Sequence, residues 1–174
     1  KNSRLWRFIN NYNTAIAKKT ASAIVSFAAE SHAKVIVFEY LHMHGKRRGS
    51  KRQRLSLWRK REIQLRTEAL ASRLGIRVSY VCAVNTSRLA YDGSGMVRRG
   101  TGAGFKNQKL CIFKSGKVYN CDLSASKNIG ARYFIRALLK SMSAKMLLSA
   151  QAKVPELDRR TSCTLATLIH CYAA

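Results

Sequence analysis

The spacing of apolar residues changes character several times along this chain. From about Arg4 to Ala33 they recur at helical intervals with no glycine or proline between them, which predicts one long helix. The next run, Val35–Phe38, is continuously apolar and ends at the acid Glu39. Continuous apolarity predicts a strand that is covered on both faces, as at the centre of an α/β sheet.

The same order of elements then repeats. Helical spacing from about Leu55 to Leu74 predicts a second helix, and Gly75 is well placed to end it. Residues Arg77–Cys82, with the sequence RVSYVC, predict a second strand. Helix and strand in alternation, joined by short connections, indicate an α/β fold.

A glycine-rich segment, residues 84–120, interrupts this order. It holds most of the chain's ten glycines, and the turn signals DGSG and SGK predict small hairpins with KLCIF and KVYN as strands. We therefore expect an insertion of small hairpins between elements of the core.

Helical sequence returns after the insertion. Cys121–Leu139 predicts a helix with Asp122 in its first turn. An aspartate there has two open interpretations, a helix cap or a functional carboxylate. Ser141–Gln151 is expected to continue as helix until the single proline breaks it, and Asp158–Tyr172 predicts a last helix capped by its first residue.

Charge narrows the class of partner. The chain has 33 Lys and Arg against 8 Asp and Glu, a formal net charge of +25, which favours a polyanion such as nucleic acid over other partners. No apolar run approaches the roughly 20 residues of a membrane-spanning helix, so no membrane partner is expected. The five cysteines include no CxxC pair, which argues against a disulfide framework and a four-cysteine zinc site. We therefore expect a reduced intracellular compartment, the cytoplasm.

Two basic segments are candidate contacts with nucleic-acid phosphates. The loop Gly45–Arg54 could equally be a solvated charge run, although the high net charge favours phosphate contact. Arg98 and Arg99 suit phosphate contact and exposed loop charge equally well. The candidate cations of the loop are Lys46, Arg47, Arg48, Lys51, Arg52 and Arg54.

Acids are scarce, so the positions of Glu39 and Asp122 carry information. One ends an apolar strand and the other opens a helix after the insertion. Two-metal phosphodiester cleavage requires carboxylates that are grouped in space around two Mg²⁺ ions about 4 Å apart. Both acids are placed as such ligands would be in a ribonuclease H-like fold, so both are candidate catalytic and metal-binding residues.

Three separate motifs, VIVFEYL, GIRVSYVCAVNTSRLAYDGSG and CDLSASKNIGARY, resemble the RuvC-like nuclease of TnpB proteins and their relatives, the type V CRISPR effectors. The resemblance implies that Glu39 is the second catalytic acid and Asp122 the third. It also implies that Thr86 and Ser87 open a small target-strand-loading module. Around Asp122, the family pattern is matched at Ala125, Asn128 and Ile129 and differs at Ser124 and Ser126.

The resemblance also implies a domain organisation. Residues 1–83 and 121–174 would be the middle and last parts of a RuvC-like domain, and residues 84–120 the inserted module. Many family members carry a zinc ribbon of two CxxC pairs in this module. Here only Cys111 lies near the second pair and Ala90, Tyr91, Asp92 and Gly93 surround the place of the first. We therefore expect hairpins without structural zinc.

The family's first catalytic Asp lies on a strand that would precede the long helix, and this sequence has no counterpart. We expect the C-terminal portion of a RuvC-like fold, inactive alone, that completes a Mg²⁺-dependent DNA endonuclease with the remaining N-terminal part of the same protein. Guide RNA and target DNA are the implied partners. Two alternatives remain: a nucleic-acid-binding module without cleavage activity, and a basic structural component of a ribonucleoprotein.

Overall fold

The computed structural model describes residues 2–40, 59–154 and 156–172, and it shows a mixed α/β protein. The chain divides into two compact units, Lys1–Ser79 and Tyr80–Ala174. The helices are α1 Ser3–Glu30, α2 Lys60–Arg73, α3 Cys121–Ser141, α4 Ala144–Lys153 and α5 Ser162–Tyr172. The strands are β1 Val35–Tyr40, β2 Arg77–Cys82, β3 Arg98–Arg99, β4 Leu110–Ile112 and β5 Val118–Asn120. Short 3₁₀ turns cover Gly100–Ala103 and Leu157–Arg159.

The core of the first unit lies between α1 and α2. Val25 and Ala28 of α1 pack with Ala71 of α2 and with Ile76, which leads into β2. Small alanine side chains let the two helices approach closely, and the buried apolar groups supply the stabilisation. The backbone N–H of Arg77 donates to the carbonyl of Lys34 at 3.0 Å, so the starts of the two strands of this sheet lie side by side.

Both helices of the first unit end in a Schellman motif. After α2, Ile76 N donates to Ala71 O at 2.9 Å and Gly75 adopts a left-handed φ of 67°. After α1, Ala33 N donates to Ala28 O at 2.8 Å, and His32 takes the left-handed position with φ of 51°. The predicted stop at Gly75 is confirmed, whereas the stop after α1 uses a residue that carries a Cβ.

The long first helix and the strand Arg77–Cys82 are confirmed. β1 runs on to Tyr40, so Glu39 lies inside the strand and does not follow it. Its residues up to Glu39 are partly buried, not fully buried as expected, and Tyr40 is exposed, because in the described part of the chain β1 pairs only with β2. The second helix begins at Lys60; the predicted residues 55–58 lie outside the described residues.

The glycine-rich segment of the second unit forms a three-stranded antiparallel sheet in the order β3-β4-β5. Cys111 pairs with Tyr119 across β4 and β5, and the turn between them passes through Gly116, whose φ is 82°. The predicted strands KLCIF and KVYN are confirmed. On one side of the sheet, Phe113 and Cys121 are buried with Cys111.

The rest of the second unit is a helical cluster in which α3 packs on α5. Ile135 and Leu168 are fully buried at this contact. The expected continuous helix over Ser141–Gln151 is wrong, because Ser143 adopts an extended conformation and its Oγ accepts a hydrogen bond from Met146 N at 3.3 Å to cap a new helix.

The last helix begins later than expected. Asp158 lies in a 3₁₀ turn and is not its cap. Thr161 and Thr164 instead exchange hydrogen bonds between side-chain oxygens and backbone N–H groups, at 3.2 and 3.3 Å, in a reciprocal cap. Of the helices within the described ranges, none is both long and apolar enough to cross a membrane. The cytoplasmic location stays a prediction.

Candidate functional site

Glu39 lies near the end of β1 and is partly buried. Strand alternation places it on the same face as Val35 and Val37. Gln64 of α2 donates its Nε2 to the Glu39 backbone carbonyl at 3.3 Å, which fixes the end of the strand against the helix. The pKa of the Lys60 ammonium is lowered by partial burial, and the nearby Glu39 carboxylate offsets part of this shift. Lys60 is therefore a cation in the immediate electrostatic environment of Glu39.

Asp122 lies in the first turn of α3 and is exposed. It does not cap the helix. That role belongs to Asn120, whose Oδ1 accepts hydrogen bonds from Asp122 N at 2.9 Å and Leu123 N at 3.1 Å. Among the described residues, no cation forms an ion pair with Asp122. The capping interpretation is thus removed, and only the favourable interaction with the helix dipole remains as a structural role for this carboxylate.

The two candidate metal ligands belong to different units, Glu39 to the first and Asp122 to the second. Within the described ranges, no group of three or more His, Cys, Asp or Glu side chains is arranged to hold a metal ion. The chemistry of the two donors fits Mg²⁺, since carboxylate oxygens are its preferred protein ligands.

Asn128 connects the helix that carries Asp122 to two other segments. Its side chain is 1% exposed. Its Nδ2 donates to the carbonyls of Thr86 at 3.1 Å and Leu89 at 2.9 Å, while its Oδ1 accepts from Ser162 N at 3.3 Å. The sequence motif included Asn128 and Thr86, but only the structure shows that they are bonded to each other.

Two arginines of α3 hold the end of β2 within the second unit. Arg132 Nη1 donates to the Cys82 carbonyl at 2.6 Å, and Arg136 Nη1 donates to the Tyr80 carbonyl at 2.8 Å. Sequence reasoning missed both residues. Arg132 and Arg136 are four positions apart, so they share one face of α3. This spacing was the sequence signal that could have indicated a common role.

Arg98 and Arg99 form the short strand β3 and are both exposed, so they are accessible to a polyanion. The six predicted cations of the basic loop, Lys46 to Arg54, lie outside the described residues. Their role and that of Arg98 and Arg99 in nucleic-acid contact stay predictions.

The interior of the hairpin sheet is built from thiols and aromatic rings. Burial raises the pKa of the Cys111 thiol to about 12, and the adjacent Cys121 thiol adds to the shift. Beside them, Tyr91 packs edge-on against Phe113 with ring centroids 5.6 Å apart and lies 5.2 Å from Tyr119. A core of this kind holds the hairpins together by apolar burial. The expected absence of structural zinc stays a prediction.

Two lysines lie over the outer side of this aromatic group. Lys117 Nζ donates to the Tyr91 hydroxyl at 2.7 Å, and this hydrogen bond lowers the pKa of Tyr91. Lys127 Nζ lies 4.0 Å from the centroid of the same ring, at cation–π distance. Sequence reasoning had noted Tyr91 only as a replacement at the place of a cysteine pair.

Comparison with known proteins decides the family. No protein-family model matches the chain. Over 137 residues it is 34% identical to a TnpB-like protein of Aquifex aeolicus (strain VF5), in an alignment that covers 73% of this chain. The chain belongs to the TnpB-like family. It spans 43% of the length of this TnpB-like relative, so it corresponds to less than half of that protein.

Membership of the TnpB-like family confirms the resemblance that the three motifs indicated. The mixed α/β class is also confirmed. The domain boundaries at residues 83 and 120 stay predictions. In the structure, the segment after residue 83 and the helix that begins at Cys121 are bonded within one unit through Asn128, Thr86 and Leu89.

Proposed function

We propose that this TnpB-like chain is the RuvC-like portion of an RNA-guided DNA endonuclease that hydrolyses phosphodiester bonds at a two-metal Mg²⁺ site. Glu39 and Asp122 would be the metal ligands that the chain supplies. The observation that carries the proposal is the first turn of α3, where Asn120 caps the helix and leaves the exposed Asp122 carboxylate available.

Each carboxylate has a defined task in this proposal. Glu39 would present its oxygens from the end of β1, which Gln64 holds in place by its hydrogen bond at 3.3 Å. Asp122 would present its oxygens from the first turn of α3, which is fixed through Asn128. Bound Mg²⁺ ions would activate the attacking water and stabilise the leaving oxygen. A third carboxylate is expected from outside this sequence, so we assign cleavage to the complete protein.

Guide RNA and target DNA are the proposed partners. The net charge of +25 suits a protein that neutralises many phosphates. Sequence selection would come from base pairing between guide and target, and the protein would contact the backbone. Arg98 and Arg99, both exposed on β3, are the described candidates for this contact.

A chimera tests the cleavage proposal. This chain would replace the matched region of the Aquifex TnpB-like protein, and Mg²⁺-dependent cutting of guide-matched DNA would be measured. Glu39→Gln and Asp122→Asn should each lower the cutting rate by about a hundredfold or more, because changes to groups that merely support metal ligands already cost 10–100-fold. Glu68→Gln, an exposed glutamate on α2, is the matched control and should cut normally.

The proposal is contradicted if either carboxylate variant of an active chimera cuts DNA at the rate of the control variant.

The second candidate function is a nucleic-acid-binding module without cleavage, which the excess of cations favours. In that case the chimera would bind nucleic acid with strong salt dependence, and no cutting would depend on Glu39 or Asp122.

A further inference from the structure

A cavity of about 640 Å³ lies within the second unit, and Asp122 is not among the residues that line it. It is bounded by the end of β2 at Cys82, the start of the glycine-rich segment, α3 and the 3₁₀ turn at Asp158. Small-molecule sites in proteins have volumes of roughly 300–1,000 Å³, so the cavity is large enough for one nucleotide.

Positive charge dominates the lining of the cavity. Its charged lining consists of the cations Lys114, Arg132, Arg136, Arg159 and Arg160 and the single carboxylate of Asp158. Arg132 is only 8% exposed, and a guanidinium keeps its charge even when buried. Arg159 is paired with the Glu156 carboxylate, which reduces its contribution. Even so, cations outnumber acids in the lining, and an anion is the complementary ligand.

Arg160 and Lys114 both line the cavity, and each has a distinctive local feature. Arg160 has a left-handed backbone with φ of 49°, a conformation uncommon for residues other than glycine. The aliphatic stem of Lys114 lies against Gly95, where an added Cβ would be 3.4 Å from Lys114 Cδ. Gly95 lines the same cavity, so the Lys114 stem follows its wall.

The cavity is also lined by the apolar side chains of Val84, Leu89 and Met96. Val84 is 65% exposed and Met96 44% exposed. Accessible apolar side chains and several cations in the lining of one cavity suit a ligand with a flat apolar face and an attached anionic group. Asn85 adds an amide, which can hydrogen-bond to the edge of a nucleic-acid base.

We propose that this cavity binds a single nucleotide. Its phosphate would lie against Arg160, Lys114 and Arg136, and its base would lie on Val84 and Met96. The nucleotide is either free or an unstacked residue of a single strand, since the chemistry of recognition is the same. The site does not involve Glu39 or Asp122, so it stands independently of the cleavage proposal.

Alkylation of Cys82 reports whether the cavity is occupied, because Cys82 is exposed and lines the cavity. The rate of its alkylation in the 174-residue chain would be followed by peptide mass spectrometry, with exposed Cys171, which does not line the cavity, as internal reference. Deoxyadenosine monophosphate and a single-stranded oligodeoxyadenylate would be the probes. Inorganic phosphate and heparin would be the anions without a base.

Nucleotide at ten times its Kd should slow Cys82 alkylation about tenfold and leave Cys171 unchanged. Protection by both probes would assign the site to any nucleotide, and protection by the oligonucleotide alone to a nucleotide within a strand. Arg160→Gln and Lys114→Gln should abolish protection, and Val84→Ser should weaken it. The exposed Arg88→Gln and Lys145→Gln, which remove the same charge outside the cavity lining, should not.

Three results overturn the inference. The first is equal protection by phosphate or heparin, which would show an anion site without base recognition. The second is the absence of protection by either nucleotide probe. The third is equal loss of protection in the cavity variants and in the two matched controls, which would reduce the effect to net charge.

Discussion

Asn120, the N-cap of α3, and Asp122, in its first turn, have separate tasks. Asn120 satisfies two backbone N–H groups that the helix itself leaves without partners, whereas the Asp122 side chain is exposed and takes no part in the cap. An aspartate in this turn is usually explained by stability. Here the stability role belongs to its neighbour, so the Asp122 carboxylate can serve another purpose.

Replacing each of the two residues separates stability from function. Asn120→Ala should lower the free energy of unfolding by about 1 kcal/mol, because the cap is lost. Asp122→Asn should cost only about 0.3–0.5 kcal/mol, the loss of a favourable charge at the helix N-terminus. Denaturant titration of the chain measures both, with Asn120→Asp as the control that keeps a capping oxygen. If Asp122→Asn lowers the free energy of unfolding more than Asn120→Ala does, Asp122 and not Asn120 is the residue that caps α3.

For single residues, a sequence motif identified Asp122 and Asn128. The motif could not predict which residues Asn128 is hydrogen-bonded to. Asn128 bonds to Thr86 and Leu89, which lie 42 and 39 positions earlier in the chain. Arg132 bonds to Cys82 across 50 positions. Contacts over such separations depend on how the elements pack, and local spacing does not encode them.

The elements themselves were largely predictable. The long α1 and the strand β2 follow from periodicity, because one apolar face or one apolar run is enough to define them. The helix boundaries differ from the prediction where one or two polar side chains cap the start of a helix. Ser143 caps the start of α4, and the Thr161–Thr164 pair caps the start of α5. From the sequence, Asp158 is the more obvious candidate for the cap of α5.

The two Schellman motifs of the first unit make a matched test of helix termination. His32 holds a left-handed φ of 51° with a side chain, while Gly75 holds φ of 67° without one. His32→Gly should stabilise the chain by up to about 1 kcal/mol by relieving the cost of that conformation, and Gly75→Ala should destabilise it by about the same amount.

Space around Gly75 does not complicate the comparison, because a Cβ added there would meet no atom within 4 Å. The backbone conformation alone sets the expected cost. Thermal or denaturant unfolding of both variants gives the answer. If both substitutions shift stability in the same direction, the left-handed positions are not what determines these helix ends.

For the whole molecule, the charge of +25 is the basis for predicting a nucleic-acid partner, and three sequence motifs indicate the family. The family is confirmed by the TnpB-like relative, of which the chain spans 43%. Glu39 and Asp122 lie 83 positions apart and belong to different units, so local sequence spacing does not predict that they meet. Their meeting at one metal centre is the central claim of the proposed function.

Metal-directed backbone cleavage tests that claim most directly. Fe²⁺ would replace Mg²⁺ in the chimera with the Aquifex TnpB-like protein, ascorbate and peroxide would generate hydroxyl radicals at the bound metal, and mass spectrometry would locate the cut peptide bonds. We predict cuts beside both Glu39 and Asp122, suppressed together by added Mg²⁺ and absent in the double variant Glu39→Gln/Asp122→Asn. Cuts beside only one of the two residues, or beside neither, would contradict a shared metal centre.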